Sequence, residues 1–482
     1  MLNRRLKFAG IIVAALALAY FLLLYVFTDR DASLSLERGA LQKEPLRFSS
    51  NFLWGSSTSA YQIEGGSTNN NWTVFEDERD EQGHPRIERG QKCGNAADDW
   101  RRHKEDIALM KDIHLNAYRF SVEWSKIEPE EGVFSDSVLD HYAQVVSELR
   151  ARGIEPMITL HHFTNPVWFE NRGGFLREDS PEILARFADT VARRLAPQVR
   201  FWATINEPAV YAFSGYYLGE FPPAQRDPQA AVTVLANLLR SHARLYEVIK
   251  RIRPDAQVGL PMNLFIFDPP NPWNLLDVLV AHYLNDGVYT SVMEFLKSGV
   301  FDFSVPGFPA AHFGTGNADL FDFVGLNYYS RLKYRLHPFG RERFVRIQDA
   351  PKESLTDMEW EIYPEGLYRA LKMISIHTSK PIYITENGIA DDSDTKRAQF
   401  IEDHILVANH AIGDGMNVQG YFYWSLIDNW EWTFGFDRRF GLYAVNFSTQ
   451  KRTLREGSRR LPEMIQRAEE SAAHTTSRNN AP

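Results

Sequence analysis

The stretch PIYITENG, residues 381–388, decides the fold. Four β-favouring residues, Ile382, Tyr383, Ile384 and Thr385, run into a carboxylate, Glu386, and then into a turn at Asn387-Gly388. An apolar run of this kind reads as a buried strand. In α/β proteins the chemistry collects at one end of the parallel strands, so a strand that finishes on a charge is delivering it there. The stretch FWATINEP, 201–208, does the same with Glu207. Two such strands present a carboxylate pair.

Similar runs recur on either side. They are FLWGSST (52–58), AYRFSVEW (117–124), EPMITLHH (155–162), QVGLPMN (257–263), DFVGLNYY (322–329) and VQGYFYWSL (418–426). With the first two they make eight. Amphipathic segments lie between them. In 98–113, Trp100, Ile107, Met110 and Ile113 form a helical stripe. The segment 180–196 opens with Ser180 as N-cap and Pro181 in the first turn, and 227–253 is long, periodic and closed by Pro254. Eight strand–helix repeats predict a (β/α)8 barrel of the TIM type as a single catalytic domain over 47–468. A doubly wound open sheet is the alternative, but it calls for a glycine-rich phosphate turn, and no G-x-G-x-x-G or Walker loop is present.

At 482 residues and 44% hydrophobic content the chain has ample material for a large core. The 11 Trp, 20 Tyr and 32 Phe read mainly as core, and their high number also fits a cleft in which ring faces meet sugar C–H faces. A net charge of −9 argues against nucleic acid, which requires a basic stripe. The single cysteine, Cys93, excludes an intrachain disulfide and thiolate metal clusters, and reads as a structural thiol.

Near the N-terminus, FAGIIVAALALAYFLLLYVF (8–27) carries no charge and is about long enough to cross a bilayer as a helix. Arg4, Arg5 and Lys7 precede it, and no cationic excess follows. The positive-inside rule therefore predicts a cytoplasmic N-terminus and an extracytoplasmic catalytic domain. A cleaved signal peptide is the rival, although the apolar block is long for one and no A-x-A site closes it. The expected division is a transmembrane anchor over 1–28, a polar stem over 29–46, the barrel, and a disordered tail over 469–482.

On an eight-strand circle, strands four and seven lie on roughly opposite sides, so Glu207 and Glu386 would face each other across the mouth. That is the arrangement glycoside hydrolysis uses: a protonated carboxyl serves the leaving oxygen and an ionised one attacks the anomeric carbon. Arg119 on the second strand would face Glu386 and hold it ionised. Glu207 has no cation beside it in sequence, so burial raises its pKa. Glu386 is then the nucleophile and Glu207 the acid/base. Taken singly, N-E-P is also a plain helix entry and E-N-G a plain turn.

The stretches FLWGSSTSAYQIEGG, YRFSVEWSKIEP, TINEP, DFVGLNYYS, ITENG and GYFYWSLIDNWEW, in that order, resemble glycoside hydrolase family 1, the β-glucosidase/β-galactosidase group. The resemblance implies a retaining double displacement without cofactor or metal, with Glu207 as acid/base and Glu386 as nucleophile. It implies that Arg119 and Tyr329 orient the nucleophile, that Gln62, His162 and Asn206 bind sugar hydroxyls, and that Trp424 stacks under the ring. Glu431 and Trp432 would read the remaining hydroxyls. A carboxylate at 431 would repel a phosphate, which implies an unphosphorylated terminal β-linked sugar, glucose, galactose or fucose. His161 and Trp430 read as packed neighbours. The chain departs from the family at HFTNP (162–166), where many relatives have H-W-D-L-P: Phe163 keeps a ring but lacks the indole N–H.

The expected substrate is a small glycoside or a glycolipid. Two other functions fit the same residues. One is a membrane-associated transglycosylase in which a glycolipid hydroxyl, galactolipids included, intercepts the glycosyl-enzyme. The other is a non-catalytic glycan-binding protein, disfavoured by the presence of both carboxylates.

Overall fold

A computed structural model of the chain describes residues 2–337 and 344–479, the side chains of 2–6 and 474–479 excepted. Eight strands close into a parallel barrel: β1 (Leu53–Ser57), β2 (Ala117–Ser121), β3 (Glu155–His161), β4 (Phe201–Ile205), β5 (Gln257–Asn263), β6 (Phe323–Asn327), β7 (Ile382–Asn387) and β8 (Val418–Trp424). Each pairs with its neighbours in sequence order, and β8 closes on β1. All eight expected strands are present, and closure excludes the open sheet. Glu207 follows β4 and Glu386 lies near the end of β7, strands separated by β5 and β6, three steps round the ring rather than four.

The barrel interior changes character along its axis. Ala117, Met157, Phe201, Phe323, Tyr383 and Phe422 pack together as one apolar cluster near the strand beginnings. The strand period of two brings the next inward positions a layer higher, where Arg119, Thr159 and Thr385 are found. Arg119 bonds to Thr159 Oγ1 at 3.0 Å. The floor is apolar and the layer above it is polar.

The expected helices appear as α2 (Asp99–Asp112), α3 (Ser180–Leu195) and α4 (Pro228–Ile252). Ile107, Met110 and Ile113 are buried, and Trp100 is half-buried. The N-cap of α3 is Asp179, not Ser180, whose hydroxyl instead donates to the Arg177 carbonyl at 2.8 Å. Asp227 caps α4 by accepting from the Gln229 amide.

The chain ends differ from the expected pattern. Helix α1 (Leu2–Phe27) contains the apolar segment. The stem packs on the barrel: Asp29 pairs with Arg369, Asp31 with Lys372 and Arg38 with Glu402, while Leu41 is buried. At the other end, α6 (Arg460–Asn479) runs through most of the stretch expected to be disordered. Leu461, Met464, Ile465 and Ala468 form its buried stripe, and the Ser471 hydroxyl donates to the Leu46 carbonyl at 2.9 Å. A packed first half gives the polar second half a helix to continue. Residues 480–482 lie outside the described residues.

Candidate active site

At the carboxyl ends of the strands the barrel opens into a cavity of about 900 Å3. Glu207, Glu386, Asn206, His162, Tyr329, Trp424, Glu431 and Trp432 line it. Arg119 and Gln62 are buried and lie behind this lining.

Glu386 reaches the cavity through an irregularity. Alternation from the inward Tyr383 would turn Thr385 and Asn387 inward and Glu386 outward. The pairing register of β7 shifts between Ile384 and Glu386 against β6, and a bulge of this kind re-aims a side chain. Asn387 points away, accepting from the Tyr421 hydroxyl at 2.7 Å and donating to the Tyr328 carbonyl at 2.7 Å. The expected turn therefore begins after Asn387, which is still in the strand. Arg119 sits in the middle of β2 rather than at its end, and its length carries the guanidinium upward. It donates to Glu386 Oε1 at 2.6 Å and to Asn206 Oδ1 at 2.6 Å. The Tyr329 hydroxyl donates to Glu386 Oε2 at 2.7 Å.

Glu207 follows β4 in a left-handed conformation, φ 44°, and Pro208 begins the next helix. The helix-entry reading is thus correct for the backbone, but the carboxylate caps nothing. Its Oε1 accepts from Asn327 Nδ2 at 2.8 Å and from Asn263 Nδ2 at 3.1 Å. Both donors are neutral.

Burial raises the pKa of both carboxyls. For Glu207 it does so to about 8, and the negative charge of Glu386 adds to the rise, against the hydrogen bonds from the two asparagines. For Glu386 burial is opposed by the Arg119 charge and by hydrogen bonds from Tyr329, Arg119 and Asn327. A direct guanidinium contact favours the anion more than neutral amides do. The asymmetry favours the proton on Glu207 and the charge on Glu386.

Gln62 receives the Ser59 hydroxyl at 2.7 Å and donates to the Trp430 carbonyl at 2.6 Å and to Glu431 Oε2 at 3.3 Å. Burial, with the Glu386 charge second, raises Glu431 to about 8. Asn206 Oδ1 accepts from Arg119 and from Asn327, at 3.1 Å in the latter case, so its amide nitrogen must face His162 Nε2, 3.1 Å away. His162 thus accepts at Nε2 and carries its proton on Nδ1. Burial, then the charges of Arg119 and His161, keep the ring neutral by holding its pKa well below the usual value. The His162 ring stacks on Trp424 with centroids 5.8 Å apart. His161 bonds to Asn165 Oδ1 at 2.8 Å, and Trp430 is buried in the core; both are packed neighbours as expected. Phe163 lines the cavity at φ 68°.

Asn327 and Asn263 were not singled out by sequence. Asn327 lies inside the quoted stretch DFVGLNYY, two residues before Tyr329, and its amide joins Asn206 to Glu207. The cavity is also lined by Phe221, Phe265, Trp360 and Phe440 and by the charged residues Asp80, Arg86, Arg226 and Arg346.

A parallel eight-stranded barrel with such a carboxyl pair at its mouth defines an O-glycosyl hydrolase of the β-glycosidase kind. The sequence pattern of glycosyl hydrolase family 1 matches residues 44–470. A β-glucosidase A of Acetivibrio thermocellus is 32% identical over 454 residues, covering 87% of this chain and 98% of that protein. A β-galactosidase of Pyrococcus woesei is 30% identical and covers 85% and 95%. The solved β-glycosidase from Pyrococcus horikoshii superposes with a TM-score of 0.79 at 36% identity, covering 88% of this chain and 96% of that one. The chain belongs to glycosyl hydrolase family 1.

Proposed function

We propose that the protein removes unphosphorylated terminal β-linked sugars by double displacement, with Glu386 attacking the anomeric carbon and Glu207 protonating the leaving oxygen. The observation that carries the role assignment is the asymmetry of donors: a guanidinium and a phenol on Glu386, two neutral amides on Glu207. In the second half Glu207, now a base, takes a proton from water and the glycosyl–Glu386 ester is released. Arg119 and Tyr329 position the nucleophile. His162, Asn206, Glu431, Trp424 and Trp432 hold the sugar, with Gln62 fixing Glu431. The charge that Arg119 and Tyr329 hold on Glu386, inside the cavity, disfavours a phosphorylated sugar. Among the relatives both a β-glucosidase and a β-galactosidase occur, and the Glu431 carboxyl can hydrogen-bond the hydroxyls of either epimer.

Glu386→Ala should abolish cleavage of an aryl β-glucoside. Glu207→Gln should slow unactivated glycosides far more than aryl ones, by roughly 100-fold or more, since an activated leaving group needs little protonation. Equal loss on both substrates would reverse the assignment.

The segment Lys7–Phe27 has the length and composition of a membrane span. In the proposed arrangement it anchors the barrel, leaving Arg4 and Arg5 in the cytoplasm and the active site on the far side, with residues 29–46 as a stem laid against the barrel. The aromatic side chains Phe221, Phe265 and Trp360 in the cavity lining, together with this anchor, favour a second reaction, transfer of the glycosyl group to a lipid-linked hydroxyl. Product analysis with a glycolipid acceptor separates it from hydrolysis, since exclusive release of free sugar would leave only the latter.

A further inference from the structure

Helix α1 packs on the outside of the barrel through its C-terminal part. Tyr20, seven residues before the helix end at Phe27, donates its hydroxyl to the Trp273 carbonyl at 2.5 Å. At 1.5 Å per residue that contact lies about 10 Å inside the apolar segment. Leu24 is buried against the domain, and the Phe27 ring meets His282 with centroids 5.0 Å apart. The partner element is the loop 269–274 and the start of α5 (Leu275–Ser298), whose outer surface shows Trp273 at 71%, Leu276 at 52% and Tyr283 at 39% exposure. An exposed Trp, Leu and Tyr beside an apolar helix have the composition of a membrane-interface contact.

We propose that this edge of the barrel docks on the bilayer through Trp273, Leu276 and Tyr283, at the boundary between headgroups and acyl chains of the membrane that α1 crosses. The inference rests on the anchor reading above and adds a second, domain-borne contact to it. If α1 spans, a domain held against Tyr20 and Leu24 has its Trp273 tip below the helix end and therefore within the membrane face. The loop that carries the tip starts at the mouth: Asn263 and Phe265 line the cavity, and Ile266–Asp268 pairs with Arg331–Lys333, between which Leu332 also lines it. Docking thus presents one wall of the mouth to the lipid surface. The substrate class it favours is a glycoside whose aglycone is embedded in the bilayer.

Full-length protein in phosphatidylcholine vesicles tests this with an environment-sensitive fluorophore on single introduced cysteines, Cys93 being buried. Leu18→Cys reports insertion of α1, Leu276→Cys reports docking, and Val300→Cys, beyond the far end of α5, is the control. Each variant is first checked for aryl β-glucoside hydrolysis. Blue shifts at 18 and 276 but not at 300 support the proposal. A shift at 18 without one at 276 overturns docking and leaves the anchor intact. No shift at 18 overturns both, and a shift at 300 as well overturns this surface as the specific contact. The double variant Trp273→Ser/Leu276→Ser should lower hydrolysis of a vesicle-embedded alkyl glucoside about tenfold relative to a soluble aryl glucoside. An unchanged ratio overturns the substrate class.

Discussion

Glu207 and Glu386 carry the same functional group in one buried cavity, so what separates them is the charge of their donors. With Glu207 protonated up to about pH 8, the acid form is lost as pH rises through that value. The rate on an unactivated glycoside should therefore fall about tenfold per pH unit above it, with the limb shifted to lower pH by any change that removes the Glu386 charge. Carbon-13 titration of labelled Glu386→Gln should show Glu207 releasing its proton earlier than in the parent. The stability sign follows from the same shift. Between pH 4.5 and about 8 the folded state holds a proton on Glu207 that the unfolded chain has released, so Glu207 makes the fold less stable as pH rises across that window. Thermal melts of Glu207→Gln should gain on the parent from pH 5 to pH 8. Both carboxylates were legible because a charge after a β-rich run is out of place in a core. Asn327 was not, because an asparagine at a strand end has the same local signature as a turn residue. The bulge that turns Glu386 inward was invisible too, since pairing register is a property of two strands and not of one.

At the scale of elements, the site depends on how closely β7 approaches β8. A Cβ at Gly388 would collide with the carbonyl oxygen of Trp424, so no side chain fits where the strand leaves the barrel. Gly388→Ala should cost about 3 kcal/mol or more in urea melts and displace Glu386 and Trp424 together, lowering kcat along with stability. Substitution of Gly66, where nothing lies within 4 Å, should avoid that collision, although its φ of 70° carries its own strain. The eight strands were readable because parallel strands buried on both faces are near-continuous apolar runs, and turn signals bound them. The C-terminal end of α6 is polar in composition and reads as a tail. The stripe that holds the helix lies just upstream, in Leu461, Met464, Ile465 and Ala468.

For the molecule as a whole, the apolar cluster at the bottom of the barrel has a kinetic consequence. Phe201, Phe323 and Tyr383 meet there edge to face, with ring centroids 5.1 to 6.3 Å apart, and close the bottom of the barrel against the sugar. Whatever enters first must depart last by the same door. A chain of sugars is then worked only from its tip, and the split-off aglycone has to clear the doorway before water can arrive. Free monosaccharide should accordingly inhibit competitively, while the aglycone alcohol inhibits against the glycosyl-enzyme; initial-rate patterns with each product check this order. An alcohol lingering in that doorway is also the natural competitor of water, so a dead-end vessel of this shape sets the balance between cutting a glycoside and making a new one.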